Sequence, residues 1–402
     1  MKIAIFSDTH CGFKYGEERG EDSFIALEEA LAKSMDCDLI LNAGDMFDTR
    51  IPRPEVFART AKILSRIQSI PSQTKFVNSI GKNIEDISPS AVRGIPMVAI
   101  HGTHERRSTT MINPVHSLEH SGLLIHLERG AVVFDINGEK VAIHGMSGVS
   151  EKYAKEALDE WNPQPVEGAT NILLFHQSVN PYIYSPLDPP TVDITDLPKG
   201  FDLYVLGHMH WTEVRDLHGG KLLLAGSTIP TSIHAKEATG GKYIFKYDGK
   251  NIERVRLENQ RKVIIEELEF DAGIKDKIVN ILTSIPSQSP KPIVVVKING
   301  QLPKDVPPPN FRDVEERFKD KFILYINKKL EVQDFEDQIE IFKRLRDNRM
   351  SPEEHGLKIL NESLKQLGGT IKTDDIFDLL VEGNSDLIFD ILTGKQKTLV
   401  NI

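Results

Sequence analysis

The sequence predicts an α/β fold for residues 1–265, with a largely parallel sheet covered by helices. Short apolar runs alternate in this region with segments of helical periodicity, the order that builds parallel sheets. Several of the runs are almost purely Val, Ile and Leu, as expected of strands buried on both faces. The pattern of strand-like and helix-like segments changes near residue 266, which predicts that a separate, smaller domain follows.

The elements of the first region follow one another regularly. The predicted strands are IAIF (3–6), DLILNAG (38–44), PMVAIHG (96–102), KVAIHG (140–145), NILLFH (171–176), DLYVLGH (202–208) and KLLLAGS (221–227). Helices are predicted at 23–36 and 54–70, the second with Pro54 in its first turn, where a missing N–H is tolerated. Residues 243–257 are predicted to form a β-hairpin, because Asp248-Gly249 suits its turn.

The rest of the chain predicts two further parts. In residues 266–345, PKPIVVVKINGQL and KFILYINKKLEV have the pattern of strands, and FRDVEERF between them has that of a helix. This is a small α+β unit. Residues 346–402 are predicted to be a helical, acidic and amphipathic tail. The predicted domains are therefore 1–265, 266–345 and 346–402.

Composition narrows the possible functions. The 40% hydrophobic and 27% charged residues are ordinary for a globular protein. No apolar stretch approaches the roughly 20 residues that span a bilayer, and the first ten residues lack the features of a signal peptide. We therefore expect a cytoplasmic protein without a membrane partner, and the two cysteines fit a reducing compartment. The net charge of −10 argues against a generally basic nucleic-acid surface, so binding of a polyanion needs a local patch, metals or a partner.

Residue types that bind metals lie at or just after the ends of five of the predicted strands. They are Asp8 and His10, then Asp45, then Thr103 and His104, then His176, and finally His208 and His210. In open α/β sheets the functional site lies outside the carboxyl ends of the strands. We therefore expect all five groups to meet at one edge of the sheet.

The spacing of these residues predicts a site for two metal ions. Two of the groups contain ligands at i and i+2, which in extended chain point the same way, about 6.5–7 Å apart. Such pairs can supply two cations about 3.5–4 Å apart, the geometry that promotes in-line attack on phosphorus by an activated water. Cations this close need an anionic bridge, for which Asp45 is the candidate, and Gly44 before it permits a tight turn. Mixed imidazole and carboxylate ligands suit Mn, Fe or Zn better than Mg or Ca.

The ordered motifs DTH, GDMFD, GTHE, FHQ and GHMH resemble those of the calcineurin-like metallophosphoesterases, whose fold is a two-sheet sandwich flanked by helices. Within that superfamily, the chain is similar to the SbcD-type, meiotic-recombination-eleven DNA-repair nucleases of archaea and bacteria. The narrower resemblance depends on GDMFDTRIPRPEV, GMSGVSEKYAKEAL, the α+β unit and the tail. It implies a double-strand exonuclease and single-strand endonuclease that uses two divalent cations, Mn²⁺, in double-strand-break repair.

The same resemblance implies partners and residue roles. The α+β unit would be a DNA-contacting cap, the tail would dock on an SbcC-type coiled-coil, SMC-like ABC ATPase, and the protein would be a homodimer. His104 matches the catalytic histidine that stabilises the transition state or protonates the leaving group without binding metal. His101, inside the strand, is expected to pack or hydrogen-bond within the sheet. The cation ligands implied are Asp8, His10 and His210 for one metal, His176 and His208 for the other, and Asp45 for both.

Two positions depart from the family pattern. Thr103 stands where the family usually has an asparagine that binds the second metal. Its hydroxyl, a weaker neutral donor, would bind directly, or a water would fill the position, or the second metal would be held more loosely; alternatively, Thr103 only caps the turn. Asp48 stands where many relatives carry a histidine linked to handling the DNA end, which bears on the balance of exonuclease and endonuclease action.

Other side chains have weaker signals. Arginine suits bidentate contact with phosphate, and five basic residues in loops near the predicted edge are candidate DNA contacts, with ordinary surface charge as the alternative: Lys14, Arg50, Arg53, Arg106 and Arg107. Cys11 follows a ligand but is expected to be a buried, reduced thiol. His116 and His120 are spaced to bind zinc, yet we expect a pair that faces solvent.

Two alternative functions remain open. One is a dimetal phosphatase or phosphodiesterase that acts on small molecules, which would need neither a cap nor an apolar tail. The other is a catalytically weak scaffold of the same fold that binds partners, for which Thr103 and Asp48 would be the departures that matter.

Overall fold

The computed structural model describes residues 1–108, 111–184, 192–232, 237, 240–302 and 308–332. The predicted tail and the last part of the predicted cap, 333–345, lie outside these residues. Contacts divide the described chain into two compact units. One comprises 1–267, 276–297 and 312–327, and the other comprises 268–275, 298–302, 308–311 and 328–332. The division into three domains stays a prediction.

The strands, in chain order, are β1 (Ile3–Phe6), β2 (Leu39–Asn42), β3 (Thr74–Ile80), β4 (Met97–Ala99), β5 (Ile125–His126), β6 (Arg129–Ile136), β7 (Glu139–Met146), β8 (Thr170–Phe175), β9 (Val179–Asn180), β10 (Val192–Asp193), β11 (Leu203–Leu206), β12 (Glu213–Leu217), β13 (Gly220–Leu224), β14 (Tyr243–Tyr247), β15 (Ile252–Arg256), β16 (Val263–Glu269), β17 (Ile293–Leu302) and β18 (Ile323–Val332). The helices are α1 (Asp22–Ala32), α2 (Pro54–Leu64), α3 (Pro114–His120), α4 (Glu151–Trp161), α5 (Ile274–Ser284) and α6 (Arg312–Phe318).

Two sheets pack face to face. The first has the order β15-β14-β1-β2-β4-β5 and the second the order β12-β13-β11-β8-β7-β6-β3. Their inner faces share one apolar cluster, in which Ile5 and Leu41 of the first sheet join Ile172 and Val205 of the second. Burial of each such side chain contributes about 1.5–3 kcal/mol. The predicted α/β class and the two-sheet sandwich are both confirmed.

Helices cover the outer faces of this sandwich. Phe24 of α1 and Val56 of α2 belong to the cluster that contains Phe6 of β1, on the outer side of the first sheet. Leu158 of α4 belongs to the cluster that contains Leu173 of β8, on the outer side of the second. The apolar faces of both sheets are therefore shielded, which leaves the strand ends as the open edge.

Parallel pairing brings the carboxyl ends of the ligand-bearing strands together. β1, β2 and β4 are parallel neighbours in the first sheet, and β8 and β11 are parallel neighbours in the second. A hydrogen bond of 2.7 Å between Nδ1 of His176 and the carbonyl of Ala43 joins the chain after β8 to the chain after β2. The two sheets thus meet at the edge where the predicted ligands lie.

The predicted elements are largely confirmed, with instructive exceptions. All seven predicted strands, the hairpin and the first helix are present, whereas α2 ends at Leu64 and continues as a 3₁₀ turn, Ser65–Ser69. The strands β3, β5, β6, β9, β10, β12 and β16 and the helices α4 and α5 were not predicted. β3 and β12 are mostly exposed and carry polar side chains, so neither has a continuous apolar run.

The later part of the chain has the predicted α+β character. β16, β17 and β18 form a three-stranded sheet in that order, and α6 matches the helix predicted at FRDVEERF. Within the described residues, no helix has both the length and the apolar character that a membrane span requires.

Candidate metal centre

Four predicted ligands occupy left-handed backbone conformations. The φ angles are 50° at Asp8, 45° at His10, 48° at Asp45 and 76° at His208. Such conformations cost non-glycine residues on the order of 1–3 kcal/mol each and persist only where the surroundings impose them. Here the N–H of Asp8 donates to the carbonyl of Gly44 (2.9 Å) and that of His10 to the carbonyl of Asp45 (3.0 Å). These bonds hold the two strand-end loops in register and aim their side chains at the shared edge.

The first ligand group consists of Asp8, His10 and His210. Nε2 of His10 lies 3.2 Å from Nε2 of His210, which in turn lies 3.5 Å from Oδ1 of Asp8. Asp8 and His10 are buried and His210 is half-buried. The three ligand atoms lie within 4.8 Å of one another, so one cation can contact all of them.

The second group consists of Asp45, His176 and His208, whose ligand atoms also lie within 4.8 Å of one another. Nε2 of His176 is 3.2 Å from Oδ2 of Asp45, and the rings of His176 and His208 are 5.4 Å apart. Gly44 has a φ of 101°, and a Cβ at this position would strike the imidazole of His176. Glycine is therefore required both for the turn and for the approach of the ligand.

Asp45 is the point where the loops converge. Its Oδ1 accepts the N–H of His104 at 2.8 Å, and the hydroxyl of Thr103 lies 3.4 Å from its Oδ2. The Thr103 hydroxyl is thus directed at the same oxygen that faces His176. This placement suits either a weak ligand or a group that steadies Asp45, and the role of Thr103 as a metal ligand stays a prediction.

The residues present fit a pair of divalent cations. Since Nδ1 of His176 bonds the carbonyl of Ala43, its Nε2 presents a lone pair towards the site. Among the described residues, neither this Nε2 nor Nδ1 of His10 has a hydrogen-bond partner of good geometry, although both atoms are buried. A buried polar atom without a partner is costly, and for the His176 nitrogen a bound cation would be the natural partner.

The charges of the two groups of candidate ligands are also compatible with bound cations. Burial opposes the positive form of His176, yet Asp45 raises its pKa to about 9. His210 likewise has its pKa raised to about 9, against burial, by Asp8 and Glu237. Burial lowers the pKa of His208 to about 4, so this ring is neutral at pH 7. The carboxylates thus attract positive charge to the site, and cations would displace protons from two of the imidazoles.

Two sets of supporting residues were not predicted. The hydroxyl of Thr231 lies 2.6 Å from Nδ1 of His210, and the buried carboxylate of Glu237 accepts from the N–H of Thr231 and from the ammonium of Lys242. The hydroxyl of Tyr184 donates to the carbonyl of His208 (2.9 Å) and accepts the N–H of His210 (3.1 Å). Neither set has a spacing or motif in the sequence that could have revealed it.

His104 lies on the open side of the first ligand group. Its ring is exposed, is 4.8 Å from the ring of His10, and has Nδ1 2.9 Å from the carbonyl oxygen of Asp48. The carboxylate of Asp48 faces Nδ1 of His10 at 3.2 Å. The geometry leaves Nε2 of His104 available to a substrate.

The five candidate DNA contacts differ in their surroundings. The ammonium of Lys14 lies 3.2 Å from both Glu17 and the Tyr325 hydroxyl. The guanidinium of Arg107 donates to the carbonyl of Ile112, whereas Arg50 and Arg53 are exposed. Arg106 is half-buried on the loop that carries His104. Their roles stay predictions.

Three minor expectations are met. His101 is buried, lies 3.0 Å from Nε2 of His126, and has its pKa lowered to about 4 by burial. Cys11 is buried as a free thiol, and burial raises its pKa to about 11. His116 and His120 lie with ring centroids 4.4 Å apart and retain some exposure to solvent.

Comparisons with known proteins agree with this geometry. Residues 1–212 match the model of the calcineurin-like phosphoesterase family. The chain is 26% identical over 307 residues to the double-strand break repair protein MRE11 of Encephalitozoon cuniculi, covering 70% of this chain and 52% of that protein. It is 24% identical over 334 residues to the DNA double-strand break repair protein Mre11 of Methanopyrus kandleri, covering 75% and 68%. With the protein of the same name from Methanococcus maripaludis it shares 26% over 323 residues, covering 75% and 79%. The alignment thus spans about half the length of the first of these relatives.

Proposed function

The chain belongs to the calcineurin-like phosphoesterase family of metal-dependent hydrolases, and we propose that it is a DNA nuclease. One observation carries the proposal: two groups of three candidate metal ligands, Asp8/His10/His210 and Asp45/His176/His208, share one edge of the sandwich beside an exposed histidine. Two divalent cations held there would acidify a water and neutralise charge on the phosphate.

The residues of the chain have separate tasks in this reaction. Nδ1 of His176 is held by the carbonyl of Ala43, so the ring is fixed before a cation arrives. Asp45 belongs to the second group, and we propose that its carboxylate would help to hold both cations. Because Nδ1 of His104 faces the carbonyl of Asp48, the Nε2–H of its protonated ring would donate to the phosphate or to the leaving oxygen. Such proton transfer typically contributes a factor of about 10²–10⁴ in rate.

We propose DNA as the substrate and Mn²⁺ as the metal. The relatives in the comparisons are named as DNA double-strand break repair proteins, which supports DNA. Four imidazole donors and two carboxylate donors support Mn²⁺ over Mg²⁺. The proposed activities are exonuclease action on duplex ends and endonuclease action on single strands, in double-strand-break repair in the cytoplasm.

The proposed assembly is a homodimer that binds an SbcC-type, SMC-like ATPase through residues 346–402. Support for self-association comes from Ile51, whose apolar side chain is 71% exposed. Light scattering tests this, since Ile51→Asp is expected to shift a dimer towards the monomer mass and an unshifted mass would exclude Ile51 from the interface.

The central experiment is cleavage of blunt duplex DNA and of circular single-stranded DNA with Mn²⁺. Wild type should cleave both, EDTA should abolish cleavage, and His104→Ala should slow it at least about 100-fold. His120→Ala, which removes an exposed histidine from α3, is the control and should match wild type. If wild type leaves DNA intact but rapidly hydrolyses bis(p-nitrophenyl) phosphate, the protein is a small-molecule phosphodiesterase instead.

A further inference from the structure

A cavity of about 360 Å³ adjoins the loop that carries Thr103 and His104. Its basic lining consists of Arg106, Arg107 and Arg129, and Glu128 contributes a carboxylate. The volume is within the range of about 300–1,000 Å³ that is typical of small-ligand sites. This cavity lies outside both groups of metal ligands, and the mechanism proposed above makes no use of it.

One loop separates the cavity from the metal centre. His101 and Arg106 line the cavity, whereas Thr103 and His104 between them contact the carboxylate of Asp45. The N–H of Gly148 donates to the carbonyl of His101 at 2.7 Å, so a second segment closes the loop from the cavity side. A DNA strand with one phosphate at the metal centre would therefore place its neighbouring nucleotide beside this cavity.

The charge of the cavity favours an anion. Arg106 makes no hydrogen bond or ion pair with any residue in the described part of the chain. Arg129 lies 3.4 Å from Glu160, but both side chains are largely exposed, and such pairs contribute little. The guanidinium of Arg107 is held by the carbonyl of Ile112 at 3.1 Å and so is already oriented. Three guanidinium groups against one carboxylate suit a phosphate, which they can bind through paired hydrogen bonds.

Apolar side chains in the same cavity indicate more than a bare phosphate. Met111 and Ile112 line it and are 55% and 49% exposed, and Val149 lies on the segment after Gly148. Apolar surface beside guanidinium groups gives a sugar and base somewhere to pack, since arginine can also stack on a base. The combination fits a nucleotide better than an inorganic anion.

We propose that this cavity binds one nucleotide of the strand being cut, next to the phosphate held at the metal centre. The inference rests on the proposed nuclease function and adds a subsite to it. Arg106 and Arg129 contact the phosphate, and Met111, Ile112 and Val149 contact the sugar and base. The subsite would favour a chain of nucleotides over a small phosphodiester.

The first test compares two substrates in Mn²⁺. For Arg106→Ala and Arg129→Ala, the ratio of kcat/KM for a single-stranded oligonucleotide to kcat/KM for bis(p-nitrophenyl) phosphate is expected to fall about tenfold, since each loses a charged hydrogen bond. Glu128→Gln should raise the ratio, because it removes the carboxylate. Arg93→Ala is the matched control, an exposed arginine before β4, at the opposite end of the strand. Ratios equal to wild type in both arginine variants would overturn the subsite.

The second test separates failure of the subsite from failure of the nuclease function. Calorimetry of the full chain in EDTA measures binding of thymidine 5′-monophosphate, inorganic phosphate and thymidine without any catalysis. The monophosphate should bind wild type most tightly and the Arg106→Ala and Arg129→Ala proteins about tenfold more weakly. Equal binding of phosphate and nucleotide, or no loss in the variants, rejects the nucleotide subsite. If wild type cuts no DNA, the nuclease proposal fails. The calorimetry still decides whether the cavity binds a nucleotide.

Discussion

Oδ1 of Asp48 lies 3.2 Å from Nδ1 of His10, on the side of the ring opposite the Nε2 that faces His210. The aspartate at this departure from the family pattern therefore lies within ion-pair distance of a candidate metal ligand, although the contact lacks the geometry of a hydrogen bond. A carboxylate behind a ligating histidine fixes the orientation of the ring and raises its basicity.

Replacing Asp48 should weaken metal binding. Asp48→Ala is expected to raise the Mn²⁺ concentration for half-maximal activity about 10- to 100-fold, the usual cost of losing such a partner. Titration of cleavage with Mn²⁺ measures it, and calorimetry of Mn²⁺ binding gives a readout independent of catalysis. Asp86→Ala, at an exposed aspartate in a 3₁₀ turn, is the control. An unchanged metal requirement for Asp48→Ala would show that the carboxylate does not support His10.

Thr103 can be tested in both directions. Thr103→Asn supplies an amide oxygen where the hydroxyl now faces Asp45, and should lower the half-maximal Mn²⁺ concentration about 5- to 10-fold if the second metal lacks a ligand. Thr103→Ala should raise it by a smaller factor. The same Mn²⁺ titration serves, and identical curves for all three proteins would mean that the position limits neither affinity nor activity.

Gly44 should be indispensable for a reason beyond its backbone angle. Gly44→Ala is expected to destabilise the fold by more than about 2 kcal/mol and to abolish tight metal binding, because the new methyl strikes His176. Gly138→Ala is the matched control: φ is 90° there, but nothing lies within 4 Å of the added Cβ. It should cost about 1 kcal/mol from strain alone. Urea unfolding measures the stability of both variants. Equal losses of unfolding free energy would contradict a collision between the new methyl group and His176.

The Glu237–Lys242 pair should behave as a buried ion pair. Glu237→Gln leaves the buried ammonium of Lys242 without its carboxylate, and a loss of about 3–5 kcal/mol of unfolding free energy is expected. Lys242→Met added to Glu237→Gln should recover most of that loss, since no uncompensated charge remains. Denaturant unfolding of the two single variants and the double variant tests this. If the double variant loses the sum of the unfolding free energies lost by Glu237→Gln and Lys242→Met alone, the two residues do not interact.

His126 should make the fold sensitive to acid. Burial holds its pKa well below the usual 6.5, so the folded protein keeps it neutral while the unfolded chain takes up a proton. Stability from this group is present above pH 6.5 and is lost as the pH falls below it, by up to about 1.4 kcal/mol per unit. Unfolding in urea at pH 7.5, 6.0 and 5.0 measures the slope. His126→Gln should flatten it, and an unchanged slope would assign the acid sensitivity to other groups.

The sequence predicted most of the buried strands and the grouping of the candidate ligands because the two share a cause. A strand buried on both faces must be apolar, so a polar residue such as Asp8 or His176, within two residues of the end of the run, stands out. Parallel order then places those residues on one edge. The assignment of Asp8, His10 and His210 to one group, and of Asp45, His176 and His208 to another, follows from the family resemblance and matches the geometry of the structure.

Contacts between segments that lie far apart in the chain could not be predicted from the sequence. Tyr184 and Thr231 contact His208 and His210 through hydroxyl groups on loops without a periodic pattern. The edge strand β3 is mostly exposed and mixes polar and apolar residues, so it has no buried run. The cavity beside Arg106 combines residues from three separate segments, which only the folded chain brings together.

The bond between Nδ1 of His176 and the carbonyl of Ala43 has a thermodynamic consequence. Because it forms only when the two sheets have closed, the unfolded chain does not present these ligands in the arrangement that binds metal. Ions bound by residues from both sheets would act as cross-links between distant segments of the chain, and free metal would raise the melting temperature in proportion to the logarithm of its concentration. Assembly of the sandwich and saturation with metal are then a single coupled equilibrium, so a chelator would reduce thermal stability as well as activity.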